Sequence, residues 1–421
     1  MREMINSGQE WLGDIPANWD IAKIDSLYKL RNTKVSDYEY EPLSVTMSGV
    51  VPQLENAAKT NVHDDRKLVV KGDFAINSRS DRRGSCGISE YNGSVSLINT
   101  VLKPNSDMLP RYFNWLFHTE LFADEFYRWG HGIVDDLWTT NWQDMRKIVV
   151  PVPSMPEQKR IASFLDSKCV EIDSITTDIQ KEIETLQEYR KSVITEAVTK
   201  GLDPNVEMKD SGIEWIGEIP RDWNVIRVKD KYKYSTGFTP DTKRSDYYND
   251  INGYEWVTIS DLNDDKIKTP TKALISRDYV HTTFRKQIVP GCLLYSFKLS
   301  VGQVAITDRP LFINEALAAF EPSPDNCINF LRYSSLLIEF NANINIYGAK
   351  ILNQQLINDA YIVFPHLDEQ KRIASFLDTK CAQINSIIED KQKQLDTLSE
   401  YRKSLIYEYV TGKKEVPIET A

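Results

Sequence analysis

An arginine-rich segment is the first part of the sequence whose residue types could do specific chemistry. Residues 77 to 85, Asn-Ser-Arg-Ser-Asp-Arg-Arg-Gly-Ser, follow a strand-like run, Lys67–Asn77. A guanidinium can donate two hydrogen bonds to O6 and N7 of guanine, an amide suits adenine, and a hydroxyl reaches a phosphate or a base edge. Taken alone, the segment also fits a solvated polar hairpin. The residues that we predict to bind DNA here are Lys67, Lys71, Asn77, Ser78, Arg79, Arg82, Arg83 and Ser85.

A second segment occupies the corresponding place in the other half of the chain. Tyr295 to Gln303, Tyr-Ser-Phe-Lys-Leu-Ser-Val-Gly-Gln, overlaps the end of another strand-like run, Gln287–Phe297, and is less basic than the first. A polar hairpin is again the alternative, and the matching positions of the two segments weigh against it. The residues predicted to bind DNA here are Arg285, Lys286, Ser296, Lys298, Ser300 and Gln303.

Local charge sets these two segments apart from the rest of the chain. Residues 62–83 carry six basic against four acidic side chains, and residues 277–298 carry four against one, whereas the whole chain has a net charge of −10. Simple nucleic-acid binders are usually basic. DNA binding therefore fits this sequence only if the positive charge acts locally or a partner supplies most of the phosphate contacts.

Sequence motifs for catalysis and for metal binding are missing. The chain has no G-x-x-x-x-G-K-[ST] phosphate loop, no [ND]-P-P-[YF] stretch to hold a flipped base, no Gly-rich cofactor loop and no G-x-S-x-G. Glu207-Met-Lys209 resembles the end of a nuclease motif but lies in a linker. The five cysteines form no C-x-x-C pair and the five histidines do not cluster, although zinc sites use such spacings. We predict no catalytic residue, metal site or cofactor site in this chain.

The elements that must position the two segments are duplicated. Glu157–Asp166 recurs unchanged as Glu369–Asp378, and residues 157–192 match residues 369–404 at 25 of 36 positions. A second motif opens each half: Ser7-Gly-Gln-Glu-Trp-Leu-Gly-Asp-Ile-Pro16 with Trp19, and Ser211-Gly-Ile-Glu-Trp-Ile-Gly-Glu-Ile-Pro220 with Trp223. Between these motifs the halves barely align. After the duplication, the repeated motifs were therefore kept, and the sequence between them diverged. We call the repeated motifs the frame.

The repeated segments have the pattern of long helices with one apolar seam. Apolar residues recur at three- and four-residue steps over five or six heptads, Ile175 and Ile387 among them, as in a coiled coil. A helix over 157–200 would span roughly 66 Å, and the linker that follows is short. We expect an antiparallel pair that places two domains at opposite ends, related by a pseudo-twofold axis; the alternative is that each helix packs only on its own domain. The seam residues for helix pairing and partner docking are Ile161, Leu165, Ile172, Ile179, Leu186, Ile373, Leu377, Ile384, Leu395 and Leu398.

Length and local pattern predict the domain organisation. A chain of 421 residues holds two or more domains. Short β-rich runs alternate with helical stretches, such as Pro110–Arg128 and Asn329–Asn341, which predicts α+β domains with a curled sheet. No run of ~18 apolar residues is present and the N-terminus lacks an apolar signal core, so we expect a cytoplasmic protein without a membrane span. The predicted parts are a first variable domain (1–153), a first long helix (154–200), a linker (201–212), a second variable domain (213–365), a second long helix (366–412) and a tail (413–421).

These motifs resemble those of the specificity subunit of type I restriction–modification systems. The resemblance rests on the two S-G-x-E-W-[LI]-G-[DE]-I-P-x-x-W openings, the two P-x-x-x-E-Q-K-R-I-A-S-F-L-D helix starts, the two E-Y-R-K-S helix ends and the linker Thr199–Val206. It covers essentially the whole chain. Arg83–Ser89 with Asn92, Gly93, Val95 and Ser96, and Gly302–Ala305 with Asn314–Ala316, look like two recurring types of target recognition domain.

The resemblance implies a division of labour between this chain and its partners. Each variable domain would read one half of an asymmetric, bipartite site in double-stranded DNA through the major groove, and the helices would set the length of the unread spacer. The helices would also dock two DNA adenine methyltransferase subunits, which bind S-adenosylmethionine. Restriction subunits would join to translocate and cleave DNA with ATP and Mg. This chain would itself be non-catalytic and hold no cofactor.

Three other functions stay open from the sequence. The chain could serve a solitary modification system that has lost restriction. It could be a coiled-coil spacer that presents two protein- or glycan-binding domains. It could also be a complete DNA methyltransferase or nuclease, which the missing motifs contradict.

Overall fold

The computed structural model describes residues 2–54, 63–132, 138–248, 251–263, 266–298, 300–345 and 348–417. Outside this range lie Val62 of the first basic segment, Leu299 of the segment Tyr295–Gln303, and the last four residues of the predicted tail. The chain divides into two compact units: unit 1 comprises residues 1–181 and 391–421, and unit 2 comprises residues 182–390. The division falls inside both long helices, so each unit contains one variable domain and a part of each helix.

Unit 1 is built around a four-stranded antiparallel sheet. Its strands lie in the order Cys86–Ile88, Phe74–Asn77, Asn99–Pro104 and Tyr28–Leu30. Phe74 packs on Phe117 with ring centroids 5.0 Å apart, in a buried aromatic core. The other paired strands are Met4–Asn6 with Asp14–Pro16, Asp20–Lys23 with Val149–Val152, Lys34–Val35 and Gly93–Ser96 on either side of Arg66–Val69, and Leu43–Thr46 with Gly49–Pro52.

Unit 2 contains a sheet of the same kind. Its four antiparallel strands lie in the order Val304–Ile306, Leu293–Ser296, Leu317–Phe320 and Tyr234–Thr236. The other paired strands are Met208–Asp210 with Glu218–Pro220, Asn224–Arg227 with Tyr361–Phe364, Ala273–Ile275 and Phe312–Ile313 on either side of Tyr254–Val257, Leu262–Asn263 with Lys266–Ile267, and Asn343–Ile344 with Lys350–Ile351.

The two four-stranded sheets have one topology. In each, the second strand along the chain forms a hairpin with the third and also pairs with the fourth, which pairs with the first. The loops 78–85 and 297–303 therefore join equivalent strands. The prediction of duplicated α+β domains is confirmed, and the two predicted DNA-binding loops occupy equivalent places in their units.

Two predicted elements are divided in the structure. The β-rich run Lys67–Asn77 forms strands in two different sheets, because the chain turns at Gly72, where φ is +90°. The helical stretch Pro110–Arg128 forms two helices, because the Thr119 side chain accepts a hydrogen bond from Phe122 N and caps a new helix. The shorter helices are Ile24–Leu27, Pro110–Phe117, Glu120–Arg128, Trp142–Met145, Val228–Lys231, Arg277–Thr282, Ile328–Ser334 and Gln354–Asp359, with 3₁₀ turns at Ser80–Arg82, Ser245–Tyr247, Ile259–Asp261 and Ser335–Asn341.

The long helices are Met155–Lys200 and Leu367–Val410. In unit 1, Phe164 of the first contacts Tyr409 of the second with ring centroids 4.5 Å apart, and Asp173 pairs with Arg402 at 3.3 Å. Residue numbers rise on one helix as they fall on the other, so the pair is antiparallel. In unit 2, Val193 and Ala197 share a core with residues 373–381. The predicted antiparallel pairing is confirmed within each unit; a pseudo-twofold relation between the domains stays a prediction.

The apolar side chains of the seam are buried toward the ends of the helix pair and become partly exposed toward its middle. Ile179, Leu186, Leu395 and Leu398 are only partly buried, whereas the six other seam residues of the prediction are buried. Ile175 and Ile387, equivalent positions of the repeat, are 42% and 47% exposed. Their assignment to the buried seam was wrong, because at these two positions the apolar side chains lie outside the contact between the helices.

The repeated sequence fastens each helix to its own domain. Gln158 accepts a hydrogen bond from Leu109 N and donates to Pro153 O, both at 2.9 Å. The equivalent Gln370 accepts from Cys327 N and donates to Pro365 O at the same distances. Both glutamines are buried. A buried amide whose two functions are satisfied holds its neighbours in register, which explains why this part of the repeat is unchanged.

Candidate nucleic-acid interface

The loop of unit 1 presents three arginines around one acid. Residues 80–82 form a 3₁₀ turn, and Gly84, at φ +76°, returns the chain to the next strand. Arg79 and Arg82 contact the two carboxylate oxygens of Asp81 at 3.3 and 3.8 Å. Their side chains are 41% and 66% exposed. Exposed ion pairs contribute little to stability, so both guanidiniums can exchange Asp81 for an anionic ligand at small cost.

Arg83 is held more firmly than the other two. It forms an ion pair with Asp124 and its guanidinium lies 5.7 Å from the ring centroid of Tyr127. Its side chain is still 48% exposed. Asp124 and Tyr127 belong to the helix Glu120–Arg128, so this helix orients Arg83 at the edge of the loop.

The other polar residues of the loop shape the turn. Asn77 Oδ1 accepts from Arg79 N at 3.1 Å, and the buried Ser78 hydroxyl bonds with Thr100 at 3.1 Å. Ser85 is buried, and its carbonyl accepts from Asn77 N at 2.9 Å. The structure therefore brings Asn77, Ser78 and Ser85 together beneath the arginines, with Ser78 and Ser85 away from the surface.

The lysines of the first segment lie apart from the loop. Lys67 Nζ donates to Asn99 O at 2.7 Å, and partial burial lowers its pKa. Lys71 is exposed and pairs with Glu90 at 3.0 Å. Arg66, which the local charge count also included, is buried and donates to Ser94 Oγ at 2.8 Å. Most of the positive surface of this segment is therefore carried by the three loop arginines.

Sequence reasoning missed the aromatic support of this loop. A small cavity behind the loop is lined by Phe126, Tyr127 and Trp138 together with Arg79 and Arg83. Trp138 Nε1 donates to Tyr127 O at 2.9 Å, and Arg79 pairs with Thr139 through a β-bridge. Trp138 and Thr139 lie more than fifty residues from the loop in the sequence. The repeat comparison gave no signal for them because the variable segments do not align.

The loop of unit 2 is organised by a buried serine. Ser296 donates to Ser300 O and accepts from Gln303 N at 2.9 Å, and it is fully buried. Lys298, Ser300 and Gln303 are exposed, and the Lys298 ammonium lies 5.8 Å from the Phe297 ring. This hairpin offers one cation and two polar side chains, where the loop of unit 1 offers three guanidiniums.

Arg285 and Lys286 lie on a different part of unit 2. The Arg285 guanidinium stacks at 4.5 Å from the Phe238 ring centroid, and Lys286, 83% exposed, lies 3.4 Å from Glu321. Phe238 follows the strand Tyr234–Thr236, and the register places the end of that strand at the same end of the sheet as Ser296. Arg285 therefore stacks on a ring that follows the sheet at the end carrying the loop 297–303. Lys286 instead pairs with Glu321, which follows the strand Leu317–Phe320 at the opposite end.

Two further arginine–aromatic pairs extend this surface, and the sequence analysis did not identify them as a group. Arg277 stacks at 4.9 Å from the centroid of Tyr254, and Arg244 at 4.6 Å from that of Tyr247. Arg244 also donates to both carboxylate oxygens of Asp246, at 2.9 and 2.7 Å, and Arg277 Nε donates to Asn252 O at 2.5 Å. The terminal nitrogens of Arg277 are not part of that bond, and a stacked guanidinium can use such groups to contact a phosphate or a base. The available signal was the interleaving of tyrosines with basic residues between positions 243 and 286.

Equivalent cavities flank the helix ends of both units. In unit 1 the cavity is lined by Glu400, Lys403 and Ser404 of the second E-Y-R-K-S motif together with His118 and Leu121. In unit 2 the lining comprises the repeat equivalents Glu188, Lys191 and Ser192 with Trp215 and Phe340. The same repeated side chains thus border an open recess in each unit. Tyr189 and Tyr401 of these motifs are 48% and 53% exposed.

Among the described residues, no three His, Cys, Asp or Glu side chains are grouped as they would be around a metal ion. None of the described helices is both long enough and apolar enough to span a membrane.

Comparisons with known proteins point to one family. The model described as type I restriction modification DNA specificity domain matches residues 16–185 and 220–397. The MjaX type I restriction enzyme specificity subunit of Methanocaldococcus jannaschii is 23% identical over 96% of each chain. The EcoBI specificity subunit of Escherichia coli is 22% identical over 64% of this chain and 59% of its own length.

Solved structures share the fold. A chain in the structure that describes complex assembly and conformational transition of the type I R-M system matches with a TM-score of 0.73 at 15% identity, over 95% of this chain and 99% of its own. The HsdS subunit from Thermoanaerobacter tengcongensis matches with a TM-score of 0.51 at 16% identity, over 95% and 98% of the two chains. At such identities the likeness concerns the fold.

Proposed function

Because the chain belongs to the family of type I restriction–modification specificity subunits, we propose that it reads an asymmetric, bipartite target in double-stranded DNA. Each unit would read one half-site with the surface around its central loop. The observation that carries the proposal is the equivalent placement of loops 78–85 and 297–303 on sheets of one topology, with unlike side chains. Two units that share a topology but present different loop side chains suit a DNA target whose two halves have different sequences.

The side chains in each unit fit different parts of a DNA site. Arg79, Arg82 and Arg83 supply three forked donors, which suit guanine edges and phosphates. Lys298, Ser300 and Gln303 offer one point charge and short polar groups. The two half-sites should therefore differ in base composition and in their dependence on salt, since each phosphate contact adds to the salt slope.

The repeated surface supports two copies of one partner. Two DNA adenine methyltransferase subunits would dock on the helices, each at the recess bordered by an E-Y-R-K-S motif. Exposed Ile175 and Ile387 give each unit an additional apolar contact at equivalent positions. Restriction and translocase subunits would join this assembly. The chain would be non-catalytic, with S-adenosylmethionine, ATP and Mg bound by its partners, in agreement with the absence of the corresponding sequence motifs.

Adenine-methylation sequencing tests the proposal. Cells that express the chain with its neighbouring methyltransferase should carry one split, non-palindromic methylated motif, and deletion of this chain should remove that motif. Replacing residues 20–150 with the variable domain of a relative should change one half of the motif and leave the other unchanged. A methylation pattern that survives deletion of the chain contradicts the proposal.

Three controls separate the other functions. Purified chain that transfers labelled methyl groups without a partner would be a methyltransferase. Purified complex without DNA affinity at any salt concentration would indicate a spacer that presents protein- or glycan-binding domains. Methylation without restriction of unmodified phage DNA would indicate a solitary modification system.

A further inference from the structure

Two features of position 284, its backbone conformation and its exposure to solvent, disfavour a phenylalanine there. Phe284 follows the helix Arg277–Thr282 and adopts φ +51°, the only positive φ of a non-glycine residue in the ranges that the structure describes. Its side chain is 93% exposed. A left-handed backbone is strained for an L-residue, and an exposed ring gains nothing from burial.

The backbone around Phe284 explains its conformation. Phe284 N donates to His281 O at 3.4 Å, and Arg285 N donates to Val280 O at 3.3 Å. This pattern is the Schellman motif, in which the left-handed position is usually glycine. The fold needs the left-handed residue but not the phenyl ring. The ring is therefore unexplained by stability, and strain of this kind at a surface site motivates a functional hypothesis.

Basic residues lie close to Phe284 in the sequence. Residues 277–286 contain Arg277, Arg285 and Lys286 against the single acid Asp278, within a chain of net charge −10. Arg277 and Arg285 are each fixed by stacking on an aromatic ring, at 4.9 and 4.5 Å. An exposed phenyl ring with ordered positive charges near it suits a polyanion that contains flat apolar surfaces. Duplex DNA is such a ligand, because its stacked bases lie between two chains of phosphates.

We propose that Phe284 is a wedge that inserts between two base pairs of the DNA bound by unit 2, while Arg277 and Arg285 contact the flanking phosphates. This inference rests on the proposed function and adds a specific element to it. Apolar side chains that enter a base step unstack it partly and bend the duplex by about 20–90°. Pyrimidine–purine steps unstack most easily, so the DNA read by unit 2 should contain TA or CA/TG at the insertion point.

A protein partner is the competing ligand for the ring. The repeated frame, which both halves share, supplies equivalent surfaces for a partner that binds twice. Phe284 lies in the variable segment and has no repeat equivalent, since the halves barely align there. Its place among residues that differ between the halves favours a ligand that also differs between them, which is the DNA sequence.

The test uses the full-length chain with its methyltransferase and a 60-bp duplex that carries the methylated motif found in cells. Permanganate reactivity detects an unstacked thymine, which every TA and CA/TG step contains, and end-to-end fluorescence transfer measures bending. Base flipping by the methyltransferase exposes the thymines opposite the methylated adenines, so the diagnostic signal is a further reactive thymine that pairs with neither of these adenines. The wild-type complex should show this signal and bend the duplex. Phe284→Gly should abolish both signals and weaken binding by about 5–100-fold.

Phe284→Gly also separates the wedge from a structural role. Because glycine favours the left-handed position, this variant should unfold at a higher temperature than the wild type while it loses DNA distortion. Phe284→Trp should retain the distortion. Ile344→Ala, which truncates a 73% exposed apolar side chain in the strand Asn343–Ile344, should leave the permanganate pattern unchanged.

Two outcomes overturn the wedge alone. One is an unchanged permanganate pattern and affinity in Phe284→Gly; the other is intact DNA binding with loss of methyltransferase from the purified complex, which would assign the ring to a protein contact. If the wild-type complex fails to bind the duplex, the proposed function falls, and the wedge falls with it.

Discussion

The indole Nε1 of Trp19 donates a hydrogen bond to Glu157 Oε2 at 3.0 Å, and Arg2 binds the other carboxylate oxygen at 2.7 Å. Trp19 ends the motif that opens the first half, and Glu157 begins the repeated helix segment. The two repeated motifs, 138 residues apart, thus meet in one buried joint. Gly412 adds to it, because a Cβ there would lie 2.5 Å from Pro16 and 2.9 Å from Trp19.

Removal of the Glu157 carboxylate should destabilise this joint. In Glu157→Ala the Trp19 N–H and the Arg2 guanidinium lose their acceptor, which for partly buried groups costs about 1–3 kcal/mol of unfolding free energy. Urea unfolding of the variant should show a lower midpoint. Glu184→Ala on an exposed part of the same helix is the matched control. Equal midpoints for the two variants would show that the joint does not contribute to stability.

The loop of unit 1 should bind DNA more tightly when its internal acid is neutralised. Asp81→Asn removes the carboxylate that Arg79 and Arg82 contact, and with it a negative charge that repels the DNA phosphates. Single alanine substitutions at Arg79, Arg82 and Arg83 should each weaken binding by about 1–3 kcal/mol where they contact a base. Fluorescence anisotropy with the methylated-motif duplex measures both effects.

The control for the loop prediction is Arg128→Ala. Its side chain is 55% exposed and is paired with Glu10 and Glu125, so it tests the loss of an exposed arginine outside residues 77–85. Binding affinities and a methylation pattern that remain at wild-type values in all three loop variants would reject the assignment of this loop to DNA.

Stability should fall on acidification because of His118. Burial lowers the pKa of His118 below its usual 6.5, although its Nδ1–H donates to Asn114 O at 2.7 Å. Arg402 also disfavours the imidazolium, and Cys86 Sγ is 3.9 Å from Nε2. The unfolded chain therefore binds a proton near pH 6.5 that the folded chain does not. The stabilisation is complete above that pH and is lost as the pH falls from it toward the folded pKa.

His118→Gln should flatten this dependence. Unfolding free energies measured in urea between pH 7.5 and 5.5 should fall less steeply in the variant than in the wild type. His366→Gln, at an exposed histidine, should keep the wild-type slope. An identical slope in His118→Gln would mean that His118 does not titrate differently on unfolding.

The sequence predicted the shared frame better than the reading surfaces. Identity between the repeats located both long helices, and the packing of Phe164 on Tyr409 confirms their antiparallel pairing. Duplication gave this information because both copies must make the same joints, as Gln158 and Gln370 do. Comparison within one chain cannot supply such information for segments that have diverged.

The reading surfaces depend on contacts that composition does not encode. Lys67 and Ser296 have residue types that suit DNA, yet Lys67 donates to Asn99 O and Ser296 is buried in its hairpin. Whether a polar side chain faces solvent depends on strand register, and a shift of one residue reverses it. Phe284 was missed for a related reason, since neither its left-handed backbone nor its exposure follows from its residue type.

The length of the helix pair should set the spacer between the half-sites. Phe164 contacts Tyr409 and Asp173 contacts Arg402, and extrapolation of this register places Thr177 opposite Thr397. Four residues inserted after each of these threonines extend both helices by about 6 Å, while the facing residues stay matched. Since DNA rises ~3.4 Å per base pair, the unread spacer should lengthen by one or two base pairs. Adenine-methylation sequencing reads the spacer directly, and both half-sites should be unchanged.

Four residues inserted after Pro204, in the linker outside both helices, should preserve the original spacer. A wild-type motif in the helix-extended variant would show that the helices do not measure the distance, and a lengthened spacer in the linker variant would assign that role to the linker.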